Sequence, residues 1–395
     1  MDTNKLRAWW FHRQGLDGRL RGHSSASLLA ETGWARSVGG AAPYLSLFAR
    51  GVVARETIDA AVASLEIHEL PAARGCTYVV PAADFALALS AASFFGEGEM
   101  KVAAKLGVTA AEVSKLCDAV RKALAKGPLD PEEIRQATGN ASRSLGEEGK
   151  KKGLVTTLPL ALGSLQTTGE IRRVPVNGRL DQQRYRYCLW KPNPLAKSKL
   201  TPEEIHTELA RRYFRWIGPA TLAEFQWFSA LSAKAAKAAL EPLKLTPLSK
   251  QDPRLLLPAD RERLEAFKTP TQAQYALTPS LDGLMLLKRN TRELIDPADL
   301  KHLVFRHKAY AAAKLDDLPS HGIFDRGRLI GLWEYDLATE SIAWASFTPA
   351  SKDLTNAVHV MEDFVRAQLG DARSFSLDSP KSRTPRIEAL RTAAK

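Results

Sequence analysis

Three times along the chain, helical segments lead into short β-rich runs, and this recurring order constrains the fold more than any other feature. In the first cycle, Ile58, Ala61, Val62 and Leu65 follow a helical period. Ile67-His68-Glu69-Leu70 and Cys76-Thr77-Tyr78-Val79-Val80 then flank a Gly-containing turn, which predicts a hairpin. In the second cycle, Thr109 and Asp130-Pro131 start helices, and Thr156 or Thr157 starts a third that closes at Gly169. Two β-rich runs, 170–176 and 185–190, follow, with Asn177-Gly178 as the turn signal between them. The third cycle opens at Thr201-Pro202-Glu203-Glu204, a capping box with proline in the first turn. It turns at Gly218-Pro219, continues through helices starting at Thr221 and Ser232, and returns as a strand over 253–257.

Helices followed by a hairpin is the order of a winged helix-turn-helix. From about Thr269 the texture changes. Residues 274–277, 284–288, 322–324, 329–335 and 341–347 read as short strands, and 353–369 as a closing helix. The tail, 371–395, is basic and rich in Ser and Pro, and is expected to loosen toward its end. The predicted class is therefore α+β: three tandem winged helix-turn-helix units (1–100, 101–197 and 198–268) and a mainly β C-terminal domain with a closing helix (269–395).

Charge narrows the partner. Lys and Arg number 56 against 44 Asp and Glu, a formal net charge of +12. Such a balance favours an acidic partner, and the excess is local. Residues 141–190 carry nine basic side chains, among them Lys151, Lys152, Arg172, Arg173, Arg179, Arg184 and Arg186, against four acids. Residues 1–55 carry eight, including Arg13 and Arg36, against three. Several of the first group flank the second hairpin, where a wing meets a phosphate backbone. The longest nearly apolar stretch, 85–95, is far short of the ~20 residues of a membrane span. Three scattered cysteines form no C-x-x-C pair, so neither a disulfide framework nor a cysteine zinc site is expected. The expected protein is a cytoplasmic monomer that binds double-stranded DNA and no membrane.

Motifs for other chemistry are weak. His302 and His307 are five apart, on different faces of a helix, and there is no H-E-x-x-H, so no metal is expected. Gly96-Glu97-Gly98-Glu99 puts acids where phosphate would sit, and no P-loop occurs, so no nucleotide cofactor is expected either. Asp316-Asp317 and Glu132-Glu133 read as turn or helix-start residues rather than acid/base pairs.

Four segments, in order, carry a resemblance. Arg74-Gly75-Cys76-Thr77-Tyr78-Val79-Val80 is the first. Leu209-Ala210-Arg211-Arg212-Tyr213-Phe214 precedes Gly218-Pro219-Ala220-Thr221 and Trp227-Phe228-Ser229. Then come Leu281-Asp282-Gly283-Leu284-Met285-Leu286-Leu287-Lys288-Arg289 and Phe324-Asp325-Arg326-Gly327-Arg328-Leu329-Ile330-Gly331-Leu332-Trp333. Together they resemble the AlkZ/YcaQ-type winged-helix family over nearly the whole chain. The resemblance implies three tandem winged-helix units, a mainly β C-terminal domain, DNA binding and, in characterised members, glycosylase activity on alkylated bases and interstrand crosslinks. Alkylation at N7 of guanine makes the base cationic and a good leaving group. The enzyme then needs mainly to position water and to stabilise the sugar cation.

The family's catalytic signature is Q-x-Q or Q-x-D shortly before a P-Y-x-x-L-W-A-R helix. That helix is present as Pro43-Tyr44-Leu45-Ser46-Leu47-Phe48-Ala49-Arg50, but 33–42 before it contains no Gln, Asp or Glu. The expected pair falls on Arg36 and Val38, or on Gly39 and Ala41, and none of these orients a water as Gln or a carboxylate does. Glu31 is near in sequence but has no role in the resemblance. The leading expectation is a winged-helix DNA-binding protein without the Gln motif. Its DNA contacts would come from Arg13, Arg36, Lys151, Lys152, Arg172, Arg173, Arg179, Arg184, Arg186, Lys288 and Arg289. The alternatives are a glycosylase that excises N7-alkylated purines with substitute residues, and a scaffold for protein or small molecules with a cleft lined by Trp9, Trp10, Trp34 and Tyr44.

Overall fold

The structure is a computed structural model that describes residues 2–182, 184–311 and 318–394; Asp316-Asp317 lies outside the described residues. In the first unit, helices Thr3–Arg13, Ser25–Thr32, Ala42–Gly51 and Arg55–Ala63 surround a three-stranded antiparallel sheet. Its strands are β1 (Ala35–Arg36), β2 (Ile67–Pro71) and β3 (Thr77–Pro81), in the order β1-β3-β2. Val79 of β3 stands opposite both Ala35 and Glu69. The predicted first hairpin is therefore present, widened by a third strand from 35–36.

The second unit builds its own core. Leu116, Val120, Ile134, Leu160, Ala161 and Leu165, drawn from helices Ala110–Leu124, Pro131–Thr138 and Leu158–Thr167, pack together with Ile171 of the wing. The Asp130–Glu133 capping box starts one of these helices. The wing is β4 (Ile171–Pro175) paired antiparallel with β5 (Tyr185–Leu189). Between them, Gly178 takes a φ of +76°, a conformation a side chain resists.

The third unit contains helices Pro202–Ile217, Leu222–Ser229 and Ala233–Leu240 and a minimal hairpin, β6 (Thr246–Pro247) with β7 (Leu255–Leu256). The capping boxes at Thr201 and Thr221 each hold a glutamate three residues on. The C-terminal part is a four-stranded antiparallel sheet of β8 (Tyr275–Thr278), β9 (His321–Asp325), β10 (Arg328–Asp336) and β11 (Ser341–Ser346), in the order β11-β10-β9-β8.

The fold is α+β, as the sequence predicts, with two local corrections. Residues 284–288, expected as a strand, form helix Gly283–Lys288, because Asp282 accepts the Leu284 amide and caps it. The tail does not loosen: helix Pro380–Ala393 packs on β10 and β11, capped by Ser379 with Pro380 in its first turn. Its Arg383 is buried and pairs with Asp371 at 2.7 Å.

The units are tied together through the first helix. Trp9 and Trp10 donate their indole N–H groups to the carbonyls of Gly218 and Pro219. Arg7 donates to the carbonyls of Glu293 and Ile295. Trp9, Trp10, Trp34 and Tyr44 are buried core residues, and Trp9 and Trp34 border two separate cavities rather than a shared one. No helix among the described residues is long and apolar enough to cross a membrane.

Candidate functional site

The segment without a Gln, Asp or Glu does face a cavity. Arg36, Ser37, Val38 and Gly39 line an open cavity of about 480 Å³ with Thr77, Arg173, Tyr185, Leu281, Phe375, Ser376 and Leu377. That is within the 300–1,000 Å³ usual for small-ligand pockets. The same wall includes Glu69, a carboxylate that lies 27 residues beyond the segment in sequence but faces the same space. Glu69 sits in the middle of β2 and is only 4% exposed. Its Oε1 accepts hydrogen bonds from the Ser37 hydroxyl at 2.5 Å and the Tyr185 hydroxyl at 3.3 Å. Its Oε2 accepts no hydrogen bond and lies 3.5 Å from Nη2 of Arg173.

The surrounding groups are fixed in turn. The Arg173 guanidinium stacks over the Tyr185 ring at 4.7 Å. Burial, with the Glu69 charge behind it, pushes the Tyr185 phenol well above its ordinary range, so it stays a neutral donor. Arg36 donates to the Thr77 carbonyl at 2.9 Å and lies over the Tyr78 ring. Opposite, the segment between helices Lys352–Phe364 and Pro380–Ala393 closes the wall. The Ser376 amide donates to the Val38 carbonyl at 3.1 Å, and the Ala41 amide to the Arg373 carbonyl at 2.9 Å. Gly40 makes this approach feasible, since a Cβ there would stand 2.4 Å from the Arg373 carbonyl oxygen. At the rim Phe375 is 42% exposed and Leu377 83% exposed.

Of the predicted catalytic positions, Arg36, Val38 and Gly39 line the cavity, while Ala41 is buried at the start of helix Ala42–Gly51. Glu31 is elsewhere, in a second cavity with Arg13, Arg19, Arg215 and Arg263, paired to Arg19 at 3.1 Å.

The predicted DNA contacts divide into groups. Arg36 and Arg173 stand at the cavity. Arg184 and Arg186 are exposed on the wing and Arg172 is half-buried there; Lys151 and Lys152 are exposed at the end of the short helix Gly146–Lys151, before helix Leu158–Thr167. Arg179 is committed to Asp181 and the Leu369 carbonyl. Arg13 is held by Asp260 and the Arg215 carbonyl. Arg289 is half-buried, 4.2 Å over the Trp227 ring that Arg74 also covers. Lys288 is a correction. Its ammonium is fully buried, 2.8 Å from Glu224, 3.0 Å from Glu293 and 3.9 Å from the Trp10 ring centroid, so it reaches no external phosphate.

Sequence reasoning missed Glu69. An acid inside a short β-run between Ile67 and Leu70 was a visible signal, but what it faces depends on long-range packing.

The family model described as DNA glycosylase AlkZ-like matches residues 32–372. The chain belongs to the AlkZ-like DNA glycosylase family. The fold agrees: it superposes on that of the Streptomyces sahachiroi DNA glycosylase AlkZ with a TM-score of 0.68 at 19% identity, over 95% of this chain and 98% of that one. No curated protein matches the sequence. The cavity lies immediately before helix Ala42–Gly51, within the residues the family model matches.

Proposed function

We propose that the protein binds duplex DNA across its basic wing and receives an extrahelical alkylated purine in the cavity beside Arg36. The observation that carries this reading is the cavity itself: open to the surface, bordered by Arg36 and Arg173, and rimmed by exposed Phe375 and Leu377. Proteins that act on a base extrude it from the stack, and an apolar side chain at the rim offsets the lost stacking. Arg184, Arg186, Lys151 and Lys152 are exposed and on the same unit as Arg173, where they supply phosphate contacts independent of sequence. N7-alkylguanine carries positive charge, and Glu69 is the acid among the described lining residues, beside Arg36 and Arg173, that can face it. The reading makes the protein a monomeric DNA-binding member of its family, acting on alkylated or crosslinked duplex.

The test is fluorescence anisotropy with a labelled duplex carrying one N7-methylguanine, titrated over a range of salt. Affinity should fall with a log–log slope of about −0.9 per phosphate neutralised. Leu377→Ala should lower the preference for the lesion duplex over the unmodified one without changing the slope. Affinity independent of salt would refute the DNA interface.

A further inference from the structure

The family's water-orienting pair is absent from 33–42, yet a carboxylate stands in the same cavity from another strand. We propose that Glu69 is the catalytic residue of this chain, taking the proton of the water that attacks C1′ of an N7-alkylated deoxyguanosine; this rests on the reading of the cavity as the base site.

Three features single Glu69 out. Among the described residues lining this cavity it is the acid. Its orientation is fixed from two sides, because Ser37 and Tyr185 both donate to Oε1. That leaves Oε2 without a hydrogen-bond donor although the side chain is 96% buried, and a buried acceptor left unsatisfied costs about 1–3 kcal/mol unless a ligand or water completes it. A fixed, buried oxygen with a free lone pair in a base-sized cavity is what a general base for hydrolysis requires. Ser37 and Tyr185 come from two different units, so the carboxylate is held where the first and second units meet.

The step balances as follows. The C1′–N9 bond breaks and its electron pair goes to N9, which turns the cationic base into neutral N7-alkylguanine. The sugar is left as an oxocarbenium ion, stabilised by the negative charge of Glu69. Water adds to C1′ and its proton passes to Oε2, giving an abasic hemiacetal, and Glu69 later returns the proton to solvent. Removing a positioned general base slows a reaction by about 10²–10⁴-fold. Arg173 balances the charge of Glu69 in the free protein, so the Glu69→Gln change leaves a lone buried cation. Glu69→Asp keeps the charge and withdraws it by one methylene from Ser37 and Tyr185.

The experiment is single-turnover excision from a duplex with one N7-methylguanine, read as alkali-induced strand breaks. It is run on the full chain alongside the binding titration above, with circular dichroism of each variant. The expected result is excision by the wild type, a loss of about 100-fold or more in the single-turnover rate at saturating protein for Glu69→Gln, and a smaller loss in Glu69→Asp. Excision by Glu69→Gln at the wild-type rate overturns the assignment. Should Glu69→Gln fail to fold, an undiminished rate in Glu69→Asp overturns it instead. A wild type that binds the duplex and makes no breaks at protein excess overturns the catalytic role and leaves the DNA-binding reading standing. A wild type with no salt-dependent affinity overturns both.

Discussion

Arg50 and Asp282, the last residue of one family-like motif and the second of another, meet in the core. Their side chains are 4% and 0% exposed, with Arg50 Nη1 at 2.6 Å and Nη2 at 3.0 Å from the carboxylate. Gln14 accepts from Nη2 at 2.8 Å and the Ser46 carbonyl from Nη1 at 3.0 Å. Asp282 also accepts from the Ser46 hydroxyl and caps helix Gly283–Lys288. Asp282→Asn removes only the charge. Asparagine caps nearly as well, so the helix start is a minor loss. The major loss is an arginine left buried without a counter-ion. Coulomb attraction at about 4 Å and an effective dielectric near 20 is worth about 4 kcal/mol, and breaking buried pairs by removing one partner costs about 3–5 kcal/mol. The two estimates agree. In urea unfolding followed by tryptophan fluorescence, the variant should lose about 4 kcal/mol, a midpoint shift of roughly 1–2 M. The double variant Arg50→Met with Asp282→Leu should recover most of it, since an apolar pair of similar volume tolerates burial. A midpoint within about 0.3 M of wild type for Asp282→Asn would refute the claim that this pair joins the first unit to the C-terminal part.

Other outcomes follow from the same physics. Lys288→Met should destabilise by about 3–5 kcal/mol, because Glu224 and Glu293 lose their shared cation; the salt slope of DNA binding should not move, and a change of about one unit would put Lys288 on the interface after all. Arg184→Ala and Arg186→Ala, at exposed wing positions, should each reduce that slope by about 0.9 and leave the unfolding midpoint in place. His321 is held neutral: burial lowers its pKa to about 4, the Ser280 amide donates to Nδ1, and Nε2 donates to the Ala372 carbonyl. Below its unfolded pKa of about 6.5 the unfolded chain takes up a proton that the folded chain refuses until about pH 4. Stability should therefore fall as pH drops across that window, by on the order of 3 kcal/mol from this residue, and His321→Gln should flatten the fall measured by urea unfolding at stepped pH.

How much of this was legible depended on how local the determining interactions are. The helix starts at Asp130 and Thr201 are short-range, and both form as read. The β4–β5 wing was equally readable, because Asn177-Gly178 marks its turn. Residues 284–288 misled because five nearly apolar residues suit a buried strand and a buried helix alike; the deciding signal was one polar residue, Asp282, two positions earlier. The tail misled by composition, although Ser379 and Pro380 carried a helix-start pattern. Lys288 shows the limit for charge. A lysine in the sequence does not disclose that Glu224 from a different helix will bury it. Glu69 shows the same limit for chemistry, since its partners Ser37 and Tyr185 are 32 and 116 residues away.

The walls of the cavity are contributed by 36–39, 69–77, 173–185, 281 and 375–377, which spans nearly all of the chain. No fragment can assemble it. A product of stalled synthesis or proteolysis ending before Arg373 would keep its arginine-bearing wing, yet would lack the rim that lies against Gly40. Such a piece would have no chamber in which to hold a nucleotide, so the proposed chemistry depends on both ends of the chain being in place.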